Sequence, residues 1–207
     1  GIFGRVTGDA GSRFVIAIGQ AIFLVLFLIL YGDCIAARQR IGAVYFFSRI
    51  SNRKKWILKE FVLLLFYSVL YTFCFVGMHM IFSIWGSSEA NLSETLFKVA
   101  FQIGLFLTLL LFEMAVLCNL FCAAGGSAIG ILLSMLCVIG LIMWSTAEVD
   151  GVVSEMINPM WLSADIIENG GSYIQKIIIV FLQTAICAVG TGYYLAKRDL
   201  FAREGEG

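Results

Sequence analysis

Two ionisable side chains, His79 and Glu113, lie inside long apolar runs of this 207-residue sequence. In such surroundings an imidazole or a carboxyl group can relay protons, contact a polar substrate or bond a neighbouring helix. An ionised carboxylate at the centre of a membrane helix costs roughly 2.5 to 3.5 kcal/mol, so Glu113 must be protonated, paired or in contact with water. A polar pathway or a proton-sensitive latch stays open, but we favour structural hydrogen bonds for both residues. For Glu113 the candidate partners are Gln20, His79, Gln102 and Asn119.

Cysteine provides the other reactive side chains. Cys118 and Cys122 are four residues apart, so on a helix they would share one face. No further Cys or His lies near them in the sequence, which argues against a metal site. All six cysteines fall in apolar runs or beside them, and no disulfide framework is indicated. We expect buried thiols, with no metal and no cofactor bound by this chain.

Motifs that bind nucleotides or build hydrolytic sites are missing from the sequence. It contains no G-x-x-x-x-G-K-[ST], G-x-G-x-x-G, H-E-x-x-H or G-x-S-x-G pattern. We therefore expect that this chain is not an enzyme and does not hydrolyse nucleotide by itself. Nor do we expect a nucleic-acid partner.

Five long apolar runs must position these side chains. The sequence is 60% hydrophobic and 14% charged, with a mean hydropathy of +0.94, which is typical of membrane proteins. A helix crosses the hydrocarbon layer with about 20 apolar residues, whereas barrel strands alternate over about ten. The runs, named spans A to E, cover residues 14–31, 61–85, 99–121, 126–147 and 177–196.

The predicted fold class is an all-α integral membrane protein, a polytopic helix bundle in which residues 1–207 form a single transmembrane domain. Residues 32–60 hold half of the fourteen Lys and Arg residues, which places them in the cytoplasm by the positive-inside rule. Residues 148–173 contain five acidic residues and no basic one, and belong outside. We expect a multi-pass protein of the bacterial plasma membrane with a cytoplasmic C-terminus after Lys197.

This orientation also bears on the start of the chain. The first residue is Gly1 rather than Met, and residues 1–13 would lie outside. A further span before Gly1 would place both termini in the cytoplasm and bring the number of spans to six. A genuine outside start is the alternative.

The cytoplasmic segment 32–60 has the pattern of an element that binds a partner. Apolar residues recur at helical spacing from Ala37 to Tyr45, which predicts a short amphipathic helix on the membrane surface. Residues 48–56 are polar and basic, and predict a loop that re-enters the bilayer at Trp56. Two roles fit the segment: contact with anionic lipid, at about 1 kcal/mol per basic residue, or docking of a cytosolic partner.

Small residues predict a close helix contact at the start of span D. They recur about four apart, and such spacing lets two helix backbones approach each other. The neighbour is either span C or a second chain. The residues are Ala123, Gly126, Ser127 and Gly130.

Several residues resemble motifs of the ABC-2 type transporter permeases. Members carry, after the second span, a Glu, Gly-Thr, a hydrophobic stretch, Pro-x-Ser-Arg and a Lys that opens the third span. Gly42-Ala43, Ser51 and Lys59 stand at corresponding places here. The sequence departs from the motif at Arg38, Arg49 and Asn52, which replace its Glu, Pro and Arg.

The C-terminal half adds to the resemblance. Pro159 belongs to an Asn-Pro segment similar to the one that precedes the last span in these permeases, and Lys197 opens a similar Arg-Asp ending. The resemblance implies a six-span permease in which spans A to E are the second to sixth. It also implies a cytoplasmic amphipathic coupling helix within residues 32–60 and a short re-entrant extracellular hairpin within residues 148–176.

Partners follow from the same resemblance. A cytosolic ABC ATPase subunit would bind ATP and Mg²⁺, and this chain would pair with a second permease copy, as a homodimer or a heterodimer, in the lipid bilayer. The ATPase is expected to dock on Arg38, Arg40, Tyr45, Arg49, Arg53 and Lys54. The resemblance implies a substrate pathway at the dimer seam, along spans A and D. Its candidate lining residues are Gln20, Phe23, Phe27, Met135 and Met143.

The function implied is export of an amphipathic or hydrophobic substrate, with peptide favoured. The chain is similar in its compactness to small Gram-positive peptide exporters and the related immunity permeases. The alternative is a non-transporting membrane sensor or scaffold whose basic cytoplasmic segment binds another partner. An intramembrane enzyme is weakened by the lack of paired catalytic residues.

Overall fold

The computed structural model describes residues 10–42, 53–86, 94–146 and 173–197. Within these ranges every element is an α-helix, as expected of a chain in lipid, where each backbone N–H and C=O must be satisfied internally. The helices are α1 (Ala10–Tyr31), α2 (Cys34–Gly42), α3 (Arg53–Gly86), α4 (Glu94–Gly125), α5 (Ser127–Thr146) and α6 (Tyr173–Lys197).

Five of these helices are long and apolar enough to span a membrane, and α2 continues the first of them after a short turn. The prediction of an all-α protein with five visible spans is confirmed. The predicted loop over residues 48–56 is wrong from Arg53 onward, because α3 begins there and Lys and Arg are good helix formers. Helix α6 begins at Tyr173, inside the predicted outer loop. The predicted hairpin around Pro159 lies outside the described residues.

The outer surface of the bundle is apolar. Phe73, Ile186 and Val189 are each 73 to 75% exposed, and many further Leu, Ile and Phe side chains on the five long helices are exposed as well. Soluble proteins rarely expose apolar patches of this extent, because water disfavours them. Such an apolar surface suits contact with lipid.

Helix α4 lies at the centre of the bundle. In its most apolar stretch 67% of the residues are buried, compared with 17 to 39% in the other four long helices. It packs against α1, α2, α3, α5 and α6, while α5 also contacts α1 and α6 also contacts α3. The fully buried side chains include Phe106, Leu110, Leu111 and Val116, all of α4. Helices α2, α3, α5 and α6 are therefore positioned mainly by their contact with α4, whereas α1 packs chiefly on α5.

Gly126 alone separates α4 from α5. Its φ of +97° lies in the left-handed region, which favours glycine and allows the chain to end one helix and start the next. Gly130, one turn into α5, lies against Cys122 of α4, and a Cβ at this position would collide with the Cys122 backbone. Of the small residues predicted to allow a close contact, Gly130 thus contacts α4 of the same chain.

Basic residues from three separate segments collect at one end of the bundle. Asn119, near the end of α4, bonds α2, and Gly192, near the end of α6, lies against the start of α3. We call this region the basic end. Its described cationic residues are Arg38, Arg40, Arg53, Lys54, Lys55, Lys59 and Lys197.

The contact between α4 and α5 can be tested with two alanine variants of α5. Gly130→Ala should destabilise the protein by about 1 to 3 kcal/mol, because the new methyl group must push the two backbones apart. Gly140→Ala is the matched control, since a Cβ at Gly140 meets no atom within 4 Å. The stability of both variants is measured by unfolding the purified proteins in mixed micelles and recording the loss of their helical circular dichroism signal. Equal stability of the two variants would contradict the close approach at Gly130.

Candidate functional site at the basic end

The basic end is organised around a break between α1 and α2. Helix α1 ends at Tyr31, and the turn that follows places Asp33 immediately before α2, a position where Asp is favoured. The Ala37 amide donates to the Asp33 carbonyl over 2.8 Å, which starts the hydrogen-bond ladder of α2. Gly32 permits the turn, because a Cβ there would meet Sγ of Cys118 and the Leu28 carbonyl.

Asn119 of α4 supplies the hydrogen bonds that this break removes. The first amides of any helix lack partners within the helix. In α2 the Ile35 and Ala36 amides donate to Oδ1 of Asn119 over 2.9 and 3.1 Å. Nδ2 of Asn119 donates to the Ala115 carbonyl over 2.8 Å, so both ends of the amide group are used. A fully buried side chain of the central helix thus caps α2 from outside.

Two arginines of α2 complete its attachment. Nη2 of Arg40 donates over 3.1 Å to the Cys122 carbonyl in the last turn of α4, where cations are favoured. The same carbonyl also accepts from the Gly126 amide over 3.0 Å. Nη1 of Arg38 lies 2.6 Å from Oε2 of Glu60 in α3. The Glu60 side chain is only 8% exposed, so removal of Arg38 would leave a buried carboxylate without this cation. Helix α2 is therefore fixed to α4 at two points and to α3 at one.

The two predicted thiols fill the space between α4 and α5. Sγ of Cys118 lies 3.9 Å from Sγ of Cys122, and both side chains are buried. They face the start of α5, with Cys118 near the Gly130 carbonyl and Cys122 near the Ser127 carbonyl. Among the described residues no group of three or more His, Cys, Asp or Glu could hold a metal ion. This geometry indicates that the Cys118 and Cys122 thiols pack between α4 and α5.

The structure brings four of the six predicted docking residues together at the basic end. Arg38 and Arg40 lie on α2, and Arg53 and Lys54 open α3. The remaining two, Tyr45 and Arg49, lie outside the described residues. Sequence reasoning missed Asn119 and Glu60, which hold α2 in place. The available signal was polarity at the end of an apolar run, yet Asn119 was considered only as a partner of Glu113.

The predicted pathway residues lie in different environments. Phe23 and Phe27 are buried, and both rings pack on Tyr71 of α3 with centroid distances of 5.2 Å. Met143 is 64% exposed on α5, and Met135 is half-buried on the same helix. In the described part of the single chain, the two phenylalanines thus face α3 rather than an open path. Nothing is described for the side chain of Gln20.

Glu113 bonds a residue that was not among its expected partners. Its Oε2 lies 3.3 Å from Oγ1 of Thr184 in α6, which also donates to the Val180 carbonyl. Asn119 is six residues further along α4, which turns it about 120° away from Glu113 and toward α2. The interhelical hydrogen bond described for Glu113 is made with Thr184, and Asn119 bonds α2 instead.

His79 lies on an exposed face of α3. Its imidazole ring meets the ring of Phe75 edge to face, with 4.5 Å between the centroids. The two rings belong to the same helix and are four residues apart, which is the spacing of side chains on one helix face. This contact lies within α3 and orients the imidazole on the helix surface.

Replacement of Asn119 by Ala tests the cap of α2. The Ile35 and Ala36 amides would lose their acceptor, at a cost of about 1 to 3 kcal/mol for an unpaired buried group. We expect their hydrogen exchange, followed by mass spectrometry on a peptide covering α2, to accelerate roughly tenfold or more. Ser134→Ala is the control, because the Ser134 hydroxyl donates to the Gly130 carbonyl of its own helix and its other partner is Cys118 of α4 rather than an amide of α2. Unchanged exchange in the Asn119 variant would contradict the assigned cap.

Comparisons with known proteins provide no relative from which a role for the basic end could be inferred. No protein-family model, curated protein or solved structure matches the chain. The resemblance to ABC-2 permeases accordingly rests on sequence features such as Lys59 and Pro159. At the basic end, cations lie on helices that contact α4, the central helix of an apolar bundle.

Proposed function

We propose that this chain is the transmembrane permease subunit of an ATP-binding cassette exporter. The observation that carries the proposal is the attachment of α2, a short helix at the basic end, to the buried side chain of Asn119. A subunit driven by a separate ATPase needs an element that receives a displacement and passes it to the spans. In this proposal α2 is that element.

The contacts of α2 define where a displacement would go. Asn119 and the Arg40 bond connect α2 to α4, and the Arg38–Glu60 ion pair connects it to α3. Because α4 contacts all the other long helices, a shift of α2 would be distributed through the bundle. Packed helices transmit such shifts because their interiors compress little.

The basic end offers the charge for docking. In this proposal Arg53 and Lys54, together with Arg38, Arg40, Tyr45 and Arg49, meet an ATPase subunit that binds ATP and Mg²⁺. Arg38 bonds Glu60 and Arg40 bonds the Cys122 carbonyl, so these two residues fix α2 in place. The positive charges that contact the ATPase then come from the start of α3. By the positive-inside rule the basic end and the C-terminus lie in the cytoplasm, and the membrane is the bacterial plasma membrane.

The substrate path is assigned to a seam with a second permease copy, in a homodimer or heterodimer. The five long helices then correspond to the second to sixth spans of a six-span ABC-2 permease. Met143 and Met135 of α5 supply flexible apolar surface suited to an amphipathic or hydrophobic peptide. Phe23 and Phe27 reach the path only if α1 and α3 separate during transport.

Charge reversal at two ends of the bundle tests the docking assignment. The tagged chain is purified from its native membranes in mild detergent, and any ATPase with a phosphate loop is quantified by mass spectrometry and by ATP hydrolysis. Arg53→Glu with Lys54→Glu should lower the recovered ATPase tenfold or more, since the partner surface must oppose four units of changed charge. Lys98→Glu with Lys176→Glu, at the opposite end, is the matched control and should retain the ATPase.

Two results would overturn parts of this proposal. Wild-type recovery of the ATPase by the Arg53 and Lys54 variant would show that docking lies elsewhere. Absence of any such ATPase from the wild-type complex would favour the non-transporting sensor or scaffold, which would use the same cations for another partner.

A further inference from the structure

A groove of about 820 Å³ opens on the surface between the start of α3 and the end of α6. This volume falls within the range of roughly 300 to 1,000 Å³ that is typical of small-molecule sites. The groove belongs to the basic end. There the spanning segment Arg53–Ile81 begins and the spanning segment Ile174–Lys197 ends. The groove therefore lies at the depth where lipid headgroups meet the hydrocarbon layer, if the long helices span the membrane.

One end of the groove is strongly cationic. Arg53, Lys54 and Lys197 line it, and none of the lining residues that the structure describes is acidic. Nζ of Lys197 lies 4.5 Å from the centre of the Tyr193 ring, a cation–π contact that holds the ammonium group beside the opening. Arg53 and Lys54 stand in the first turn of α3, where the helix dipole adds positive potential. Three positive charges from two helices thus face the same space.

The other part of the groove is apolar and open to the outside of the bundle. Leu58 is 64% exposed and Val189 is 73% exposed, and they stand on the two facing helices. The floor is formed where Gly192 lies close to Phe61, since a Cβ on this glycine would be 3.2 Å from the Phe61 ring. A cationic mouth followed by an apolar channel matches a molecule with a negative head and a hydrocarbon tail.

We infer that this groove binds one phospholipid with a net negative headgroup. The headgroup phosphate lies among the three cations, and an acyl chain follows Leu58 and Val189 toward the membrane interior. Basic pockets between helices at the cytoplasmic face have the chemistry that anionic headgroups require. A zwitterionic lipid would bring its own cation to this mouth and bind less tightly. The bound lipid would join α3 to α6.

The inference extends beyond the proposed function and does not depend on it. An anionic lipid fits the groove whether the chain is a permease, a sensor or a scaffold. The test below uses the purified chain without any ATPase, so its outcome is separate from the docking experiment. Lys197, Val189 and Gly192 also play no part in the proposed docking.

Native mass spectrometry of the full chain in micelles measures lipid binding directly. Phosphatidylglycerol and phosphatidylcholine with identical acyl chains are the probes, and one retained phosphatidylglycerol with about tenfold preference is expected. Lys54→Gln with Lys197→Gln should weaken phosphatidylglycerol roughly 25-fold, because each cation near the surface accounts for about fivefold. Lys59→Gln with Lys98→Gln removes the same charge outside the groove and should leave binding within about twofold, because neither residue lines it.

A second pair of variants tests the apolar part without any change of charge. Val189→Trp should fill the groove and lower phosphatidylglycerol retention at least fivefold. Ile186→Trp is its control, because Ile186 lies on the same helix with the same 73% exposure but does not line the groove. Both variants should keep the elution volume and helical circular dichroism of the wild type.

Four outcomes would overturn the inference. Equal retention of the two lipids, or equal losses in the groove and control variants, would mean that general charge or general hydrophobicity attracts lipid. Competition by inorganic phosphate at the same concentration would assign the mouth to a free anion. Lipid binding that occurs only after removal of residues 198–207 would show that the acidic C-terminal segment of the chain occupies the groove.

Discussion

A helix that breaks beside a membrane exposes backbone amides that have no partner of their own. The rest of the basic end depends on how this chain meets that constraint between α1 and α2. Oδ1 of Asn119 accepts from both the Ile35 and Ala36 amides, and it does so from the most buried helix of the bundle. Because the acceptor belongs to α4, the position of α2 is tied to the core rather than to its own flanking chain.

Helix α4 connects the other helices, because side chains and carbonyls at different positions along it bond different neighbours. Glu113 meets Thr184 of α6, Asn119 meets α2, and Cys122 meets both α5 and Arg40. Apolar packing between helices is weakly directional, since lipid is nearly as favourable a neighbour as another helix. These few polar contacts therefore add specificity to an arrangement that dispersion forces alone would define poorly. They also make α4 the path by which a change at α2 would reach α5 and α6.

Five of the seven described cations of the basic end form two groups according to what they contact. Arg38 and Arg40 bond Glu60 and the Cys122 carbonyl, and thereby attach α2 to α3 and α4. Arg53, Lys54 and Lys197 line the groove between α3 and α6. Anchoring to anionic lipid and docking of a cytosolic partner were two roles considered for one basic segment. In the two proposals these roles use surfaces that overlap at Arg53 and Lys54, so a lipid in the groove would lie beside a docked partner.

The sequence by itself determined the number of long helices, their approximate bounds and the bias of positive charge. These properties are local, because bilayer thickness sets the length of an apolar run and charge position is read directly from the chain. Only the tertiary structure decided which faces meet. Phe23 and Phe27 are buried while their neighbours Ile22 and Leu26 are about half exposed, although all four are large and apolar. A helix that is apolar all round carries no stripe marking its inner face, so the partners of Asn119, Glu60 and Gly130 were fixed by packing between distant segments.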